Sequence, residues 1–179
     1  MNCLFRFYKY DYSSIMMILI VNICLEKLHY SEFVKPVEDI LNKNGVKFFT
    51  KHYKRISNMD LKKADKIIIC GTSLKDNMFL EHLNKFSWIK YFKKPILGIC
   101  GGAHLIGLVF GGKLKEKRGI GLKKMNIKNF LGINGEKEVY HLHQFYVLPE
   151  IYHKENIYAT LFHPEVRNKE IIANFCNNA

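Results

Sequence analysis

Pro95-Ile96-Leu97-Gly98-Ile99-Cys100-Gly101-Gly102-Ala103-His104-Leu105-Ile106-Gly107-Leu108-Val109-Phe110-Gly111-Gly112 runs an apolar strand into an apolar helix through a cysteine flanked by glycines. The strand runs straight into the helix with no linker between them. Gly98 and Gly102 occupy the flanking positions of a G-x-nucleophile-x-G turn, the thiol counterpart of the nucleophile elbow. In such a turn the side chain is lifted above the sheet edge, the helix N-terminus favours the thiolate, and the amide of Gly101 points to where an oxyanion would form. The plain alternative is a buried core cysteine whose neighbouring glycines only permit tight packing.

Outward from this turn, strand and helix signals alternate. Met17 to Ile23 is a continuous apolar run, as expected of a strand buried on both faces. Ser31-Glu32 followed by Phe33, Val34, Val37, Ile40 and Leu41 predicts an amphipathic helix that Asn44-Gly45 closes, with Pro36 tolerated in its first turns. Val46 to Thr50, Lys66 to Cys70 and Pro95 to Ile99 read as further strands. Phe79, Leu80, Leu83, Phe86, Trp88 and Ile89 predict another helix. Alternation of this kind implies a mostly parallel sheet covered on both faces. After Gly112, frequent glycines predict short hairpins that extend one sheet edge, and Glu170 to Phe175 a last short helix.

The chain has 179 residues, 48% of them apolar, enough for a single domain with a full core. Residues 1–16 read as an N-terminal extension and 17–179 as the domain. The run Ile15 to Leu25 is too short to span a membrane. Arg6 and Lys9 precede it, but Asp11 and the lack of a small-residue cleavage site speak against a secretory leader. Five cysteines, at Cys3, Cys24, Cys70, Cys100 and Cys176, form no CxxC pair, so neither a disulfide framework nor a zinc site is written, and a reducing, cytoplasmic setting is expected.

A thiol nucleophile needs a base. Leu161-Phe162-His163-Pro164-Glu165-Val166 offers an apolar strand ending in His-Pro-Glu, where His163 can take the thiol proton and Glu165 can orient the imidazole. A surface turn with a solvated charge pair is the alternative for that segment taken alone.

Together the two motifs resemble the class I glutamine amidotransferases, whose domain carries a G-x-C-x-G-x-Q elbow and a distal F-H-P-E segment. The resemblance runs from Met17 onward, and the tail Phe162-His-Pro-Glu-Val-Arg with Asn174-Phe175-Cys176 looks most like the small amidotransferase subunit of archaeal-type GMP synthase. It implies a flavodoxin-like α/β fold and hydrolysis of glutamine to glutamate and ammonia. Cys100 would form a thioester, His163 would carry protons and Glu165 would hold His163. The resemblance places the second half of the oxyanion hole in Gly71-Thr72-Ser73, beside Gly101. It sets Gly98, Gly102, His104 and His143 on the substrate side. It also implies that a separate synthase subunit accepts the ammonia, and it implies no cofactor. The alternatives are a γ-glutamyl or related thiol hydrolase and a degenerate, partner-binding relative.

Four departures stand out. His104 replaces the family's glutamine. Gly71-Thr-Ser-Leu-Lys-Asp lacks the usual Gly-Gly-Pro. Tyr140-His-Leu-His143-Gln-Phe145 resembles a Ser-His-x-Asp segment with Phe145 where the acid would be. The interval Pro149 to His163 is short, implying a lost hairpin. His141 and His143 share one strand face, a spacing a metal can use, but no third ligand accompanies them, so no metal is expected. The formal net charge is +12, and Lys113, Lys115, Lys117, Arg118, Lys123 and Lys124 make a basic stretch beside the elbow helix that reads as a solvated face or as a docking surface for an acidic or nucleotide-handling synthase. No recognition helix or stacking motif points to nucleic acid.

Overall fold

The computed structural model describes residues 16–178. Cys3 and all but the last residue of the proposed extension lie outside them. Strand β1 (Met17–Asn22) is central because its Ile18-Leu19-Ile20-Val21 are buried on both faces. It pairs in parallel with β2 (Lys47–His52) and β3 (Lys66–Ile69). The sheet continues through β4 (Ile96–Ile99) to the C-terminal hairpin of β7 (Ile151–Lys154) and β8 (Ile157–Thr160). The order is β2-β1-β3-β4-β8-β7, parallel except for β7, which runs antiparallel to β8 at the edge. This is the expected mostly parallel, helix-covered α/β architecture in one domain.

Alternate strand residues feed two cores. On one face Leu19, Val21, Ile67 and Ile69 pack with Phe79, Phe86, Ile89, Leu105 and Ile106. On the other, Ile18, Ile20, Ile68, Leu97 and Ile99 pack with Val34, Val37, Leu41, Ile172 and Phe175. The helix after β1 starts at Lys27–His29, widens into a π-turn at Tyr30–Val34 and continues as α1 (Lys35–Lys43). Pro36 explains the widening, since it has no N–H to offer and its ring would crowd the carbonyl four residues back. The amide of Lys35 bonds Tyr30 O instead. Asn44 and Gly45, at φ +66°, close the helix as expected.

Helix α2 (Asn58–Lys63) has a capping box in which Ser57 and Asp60 satisfy each other's amides. The segment Met78–Lys90 differs from expectation: it is 3₁₀-helical and breaks at His82. Asn77 gives it no cap and bonds Leu74 O instead. An i, i+3 apolar spacing serves 3₁₀ and α geometry alike.

The glycine-rich stretch also differs. It forms one long ribbon, β5 (Lys115–Phe130) with β6 (Ile133–Tyr146), that is a separate two-stranded sheet rather than an extension of the main edge. Only β7 extends that edge, and the β7–β8 hairpin occupies the interval in which the sequence implies a lost hairpin. Helix α3 (Gly101–Val109) follows β4 directly, and α4 (Glu170–Asn178), three residues longer than expected, ends the described chain. Lys66 Nζ, buried, donates to Phe175 O at 2.9 Å and Cys176 O at 2.7 Å, satisfying carbonyls of the last turn of α4.

Candidate active site

Strands β3, β4 and β8 are neighbours, so the segments leaving their carboxyl ends meet although up to about 90 residues separate them along the chain. Those segments are the Gly71-Thr72-Ser73 loop, Cys100, and Leu161 to Glu165.

Cys100 sits between β4 and α3 with φ +46° and ψ −99°, a backbone strain that a non-glycine residue tolerates only when its surroundings hold it. Its amide donates to Thr160 O at 2.8 Å, and its carbonyl accepts from His104 N at 3.0 Å, the first bond of α3. Gly102 lets the helix approach: a Cβ there would lie 2.3 Å from Ile69 O. A Cβ on Gly98 would meet the backbone of Gly102 at 2.8 Å. Both glycines therefore pack beneath the turn, while Gly101 lines the cleft above it. The Cys100 thiol is 3% exposed and donates to Leu142 O at 3.5 Å.

His163 is fully buried. Its amide donates to Tyr140 O at 2.8 Å, which ties the segment to the ribbon. Nδ1 bonds Glu165 Oε1 at 2.7 Å, both side chains being out of contact with water. That bond leaves Nε2 buried with no hydrogen-bond partner among the described residues. Burial alone would push the imidazole down. The Glu165 carboxylate, its hydrogen bond to Nδ1 and the neighbouring Cys100 sulfur outweigh it and hold His163 well above its ordinary value. The resting hydrogen bond of the Cys100 thiol goes to Leu142 O. Sites of this kind commonly tighten only on substrate binding.

Gly71 touches both partners, since a Cβ on it would lie 2.7 Å from His163 Cε1 and 3.4 Å from Cys100 Cβ. Thr72 and Ser73 line the cleft. His104 lines it too, with Nε2 bonded to Phe145 O at 2.9 Å, and burial pushes it down to about 4. His143 faces the same cleft and bonds His141 through Nε2 and Nδ1 at 3.1 Å. Burial, and then the neighbouring His141, push His143 down to about 4. Both rings are therefore neutral hydrogen-bonding groups at neutral pH. The cleft is narrow, holding about 20 Å³, room for roughly one water. Among the described residues no three His, Cys, Asp or Glu side chains converge on a metal position, and no helix is long and apolar enough to cross a membrane.

Sequence reasoning passed over three groups. The carbonyls of Leu142 and Phe145 meet Cys100 and His104, and no sequence signal marks a carbonyl. Asp76 gathers bonds from three segments beside the cleft, and its only trace in the sequence is an acidic residue in a loop of small polar ones.

Residues 29–154 match the family model of glutamine amidotransferase class-I, more than half of the chain. The chain belongs to the class I glutamine amidotransferase family. The match includes the Cys100 elbow and ends before His163. A curated member, imidazole glycerol phosphate synthase subunit HisH of Pelagibacter ubique (strain HTCC1062), is 28% identical over 171 residues, covering 65% of this chain and 81% of that one. The fold is shared with a protein from Thermoplasma acidophilum assigned to GMP synthase, with a TM-score of 0.75, 24% identity and coverage of 90% and 92% of the two chains. A glutamine amidotransferase from Thermotoga maritima superposes with a TM-score of 0.61 at 18% identity, over 89% of this chain and 82% of that one. This amidotransferase thus has the fold that the family resemblance implied.

Proposed function

We propose that this amidotransferase is a glutaminase subunit that hydrolyses glutamine and passes the ammonia to a separate synthase. The observation that carries this is the imidazole of His163, locked by Glu165 at Nδ1 and packed together with Cys100 around Gly71.

In this reading His163, held as the imidazolium by Glu165, has already taken the thiol proton at Nε2, and Cys100 Sγ adds to the carboxamide carbon. The oxyanion is met by the amide of Gly101 and by the Gly71-Thr72 loop. As the intermediate collapses the C–N bond breaks, His163 returns its proton to nitrogen and ammonia leaves, with the γ-glutamyl group held as a thioester. Water, deprotonated by His163, then attacks the thioester, glutamate leaves, and Cys100 regains its proton. Neutral His104 and His143 border the substrate. No metal or other cofactor enters the scheme, and a free-thiol nucleophile suits a reducing cytoplasm.

A diazo-ketone analogue of glutamine tests the reading. It should label Cys100, and glutamine should yield glutamate and ammonia in equal amounts. Cys100→Ser should abolish release while leaving stability within about 1 kcal/mol of wild type, a small hydroxyl replacing a thiol of similar size. A folded protein that neither labels nor turns over glutamine overturns it. The presence of His104 where the family has glutamine favours a second reading, a γ-glutamyl or related thiol hydrolase. Preferential cleavage of γ-glutamyl peptides would select that one.

A further inference from the structure

Asp76 is 5% exposed, yet it lies in a loop and carries a carboxylate. Its Oδ2 accepts three hydrogen bonds: from Leu25 N at 2.8 Å, from His29 Nδ1 at 2.9 Å and from Thr72 Oγ1 at 2.8 Å. These donors come from the turn after β1, from the first helical turn, and from the candidate oxyanion loop. The amide of Asp76 donates back to Ser73 O at 3.1 Å, and Ser73 Oγ lies 3.5 Å from His29 Nδ1. Close by, Cys24 Sγ donates to Gly71 O at 3.7 Å. The second oxygen, Oδ1, is buried without a partner among the described residues.

Burying a carboxylate with one oxygen unsatisfied is costly, and a neutral apolar side chain could fill the same space more cheaply. The arrangement makes sense if a single acceptor must hold three donors in one geometry. That need is concrete here. The loop Gly71-Thr72-Ser73-Leu74 contains no proline to stiffen its backbone, and Gly71 lies against both His163 and Cys100. A small drift of this loop would change the distance from its amides to the oxyanion, where catalytic hydrogen bonds are sharply dependent on position.

We propose that Asp76 is a positioning residue for the reaction: through Thr72 and Ser73 it clamps the oxyanion loop to the β1 turn and to His29, doing with a side chain what proline does for a stiffer loop. The inference rests on the glutaminase reading, because the clamp matters only if an oxyanion forms at Cys100. Asp76 touches no substrate and acts through the loop.

The test compares wild type with Asp76→Asn, which keeps the shape, and Thr72→Val, which keeps the loop amide but removes the hydroxyl that Asp76 holds. Three quantities are measured: kcat and KM for glutamine hydrolysis, the rate of Cys100 alkylation by iodoacetamide, and hydrogen exchange of the amides from Thr72 to Leu74. Alkylation needs the thiolate but forms no oxyanion, so it separates loop positioning from a general disturbance of the elbow. Both variants should lose about tenfold or more in kcat, with KM and alkylation within about twofold of wild type, a fraction of the roughly 10²- to 10³-fold that deleting an oxyanion donor costs. Exchange in the loop should accelerate. An unchanged kcat overturns the proposal, and so does a kcat loss matched by an equal fall in alkylation. If the wild type releases no glutamate at all, the glutaminase reading fails on its own. In that event loop exchange decides for the clamp: faster exchange in Asp76→Asn supports it and unchanged exchange removes it.

Discussion

The histidines at the site are pushed in opposite directions, and the cause in each case is local. His104 and His143 are buried with neutral partners and are depressed to about 4, whereas His163 is buried against an anion and rises. A base depressed on folding costs nothing at neutral pH. As the pH falls from about 6.5, the unfolded chain takes up a proton that folded His104 refuses, and stability drops until the pH passes about 4. His104→Gln removes that drain. In urea melts the variant should lose up to about 3 kcal/mol less than wild type between about pH 6.5 and 4, and identical losses would contradict the assignment. For His163 the sign reverses. A base raised on folding stabilises the fold fully below its unfolded value near 6.5 and loses that contribution as the pH climbs through the raised one. Glu165→Gln takes away the anion that raises it. The variant should be about 3 kcal/mol or more less stable at pH 6, and the gap should narrow as the pH rises. A gap independent of pH would mean that the pair is not ionised in the fold.

Among the elements, the elbow depends on contacts made by an absence of side chain. Gly102 is held against the carbonyl of Ile69, a backbone atom that cannot swing aside. Gly102→Ala should therefore cost about 3 kcal/mol or more and abolish turnover, since α3 must lift off β3 and take the Cys100 turn with it. Gly45 is the contrast. It has φ +66° but open space around it, so Gly45→Ala should cost only about 1 kcal/mol and leave kcat unchanged. Thermal melts paired with glutamate release would separate the two. The same elements show what is legible in the chain. β1 is readable because burial on both faces leaves a continuous apolar run, and the elbow turn because glycines flank Cys100 where an apolar strand meets an apolar helix. The 3₁₀ segment at Met78–Lys90 is not, because its apolar spacing fits two helix types and a missing cap decides between them. The ribbon of β5 and β6 reads as several hairpins because most of its residues meet water, which hides the alternation that marks a strand. Asp76 is invisible in the sequence because its importance lies in three donors brought from 51, 47 and 4 residues away.

At the scale of the whole molecule the ribbon joins the halves of the site. Its base supplies Leu142 O to Cys100 and Phe145 O to His104, while Tyr140 O receives the amide of His163. Farther along, Ile127, Phe130, Ile133 and Val139 bury themselves against Phe162 and Ile171, and Asn174 Nδ2 donates to Leu131 O at 2.7 Å, pinning the tip to α4. Phe162 immediately precedes His163, so the packing that anchors the ribbon also sets the backbone that carries the imidazole. Phe130 is the largest ribbon side chain in this cluster and packs edge-on to Tyr158 of β8, with ring centroids 6.1 Å apart. Phe130→Ala should cost about 3 to 5 kcal/mol by leaving a cavity. If the ribbon couples anchoring to the site, kcat should also fall about tenfold at temperatures well below the melting transition, a modest loss for His163, the proposed base, displaced by less than an ångström. Phe130→Leu, which refills most of the volume, should restore much of both. Stability lost with kcat intact would show that the tip serves the fold alone, and that His163 is held by Tyr140 and Glu165 without help from the cluster behind it.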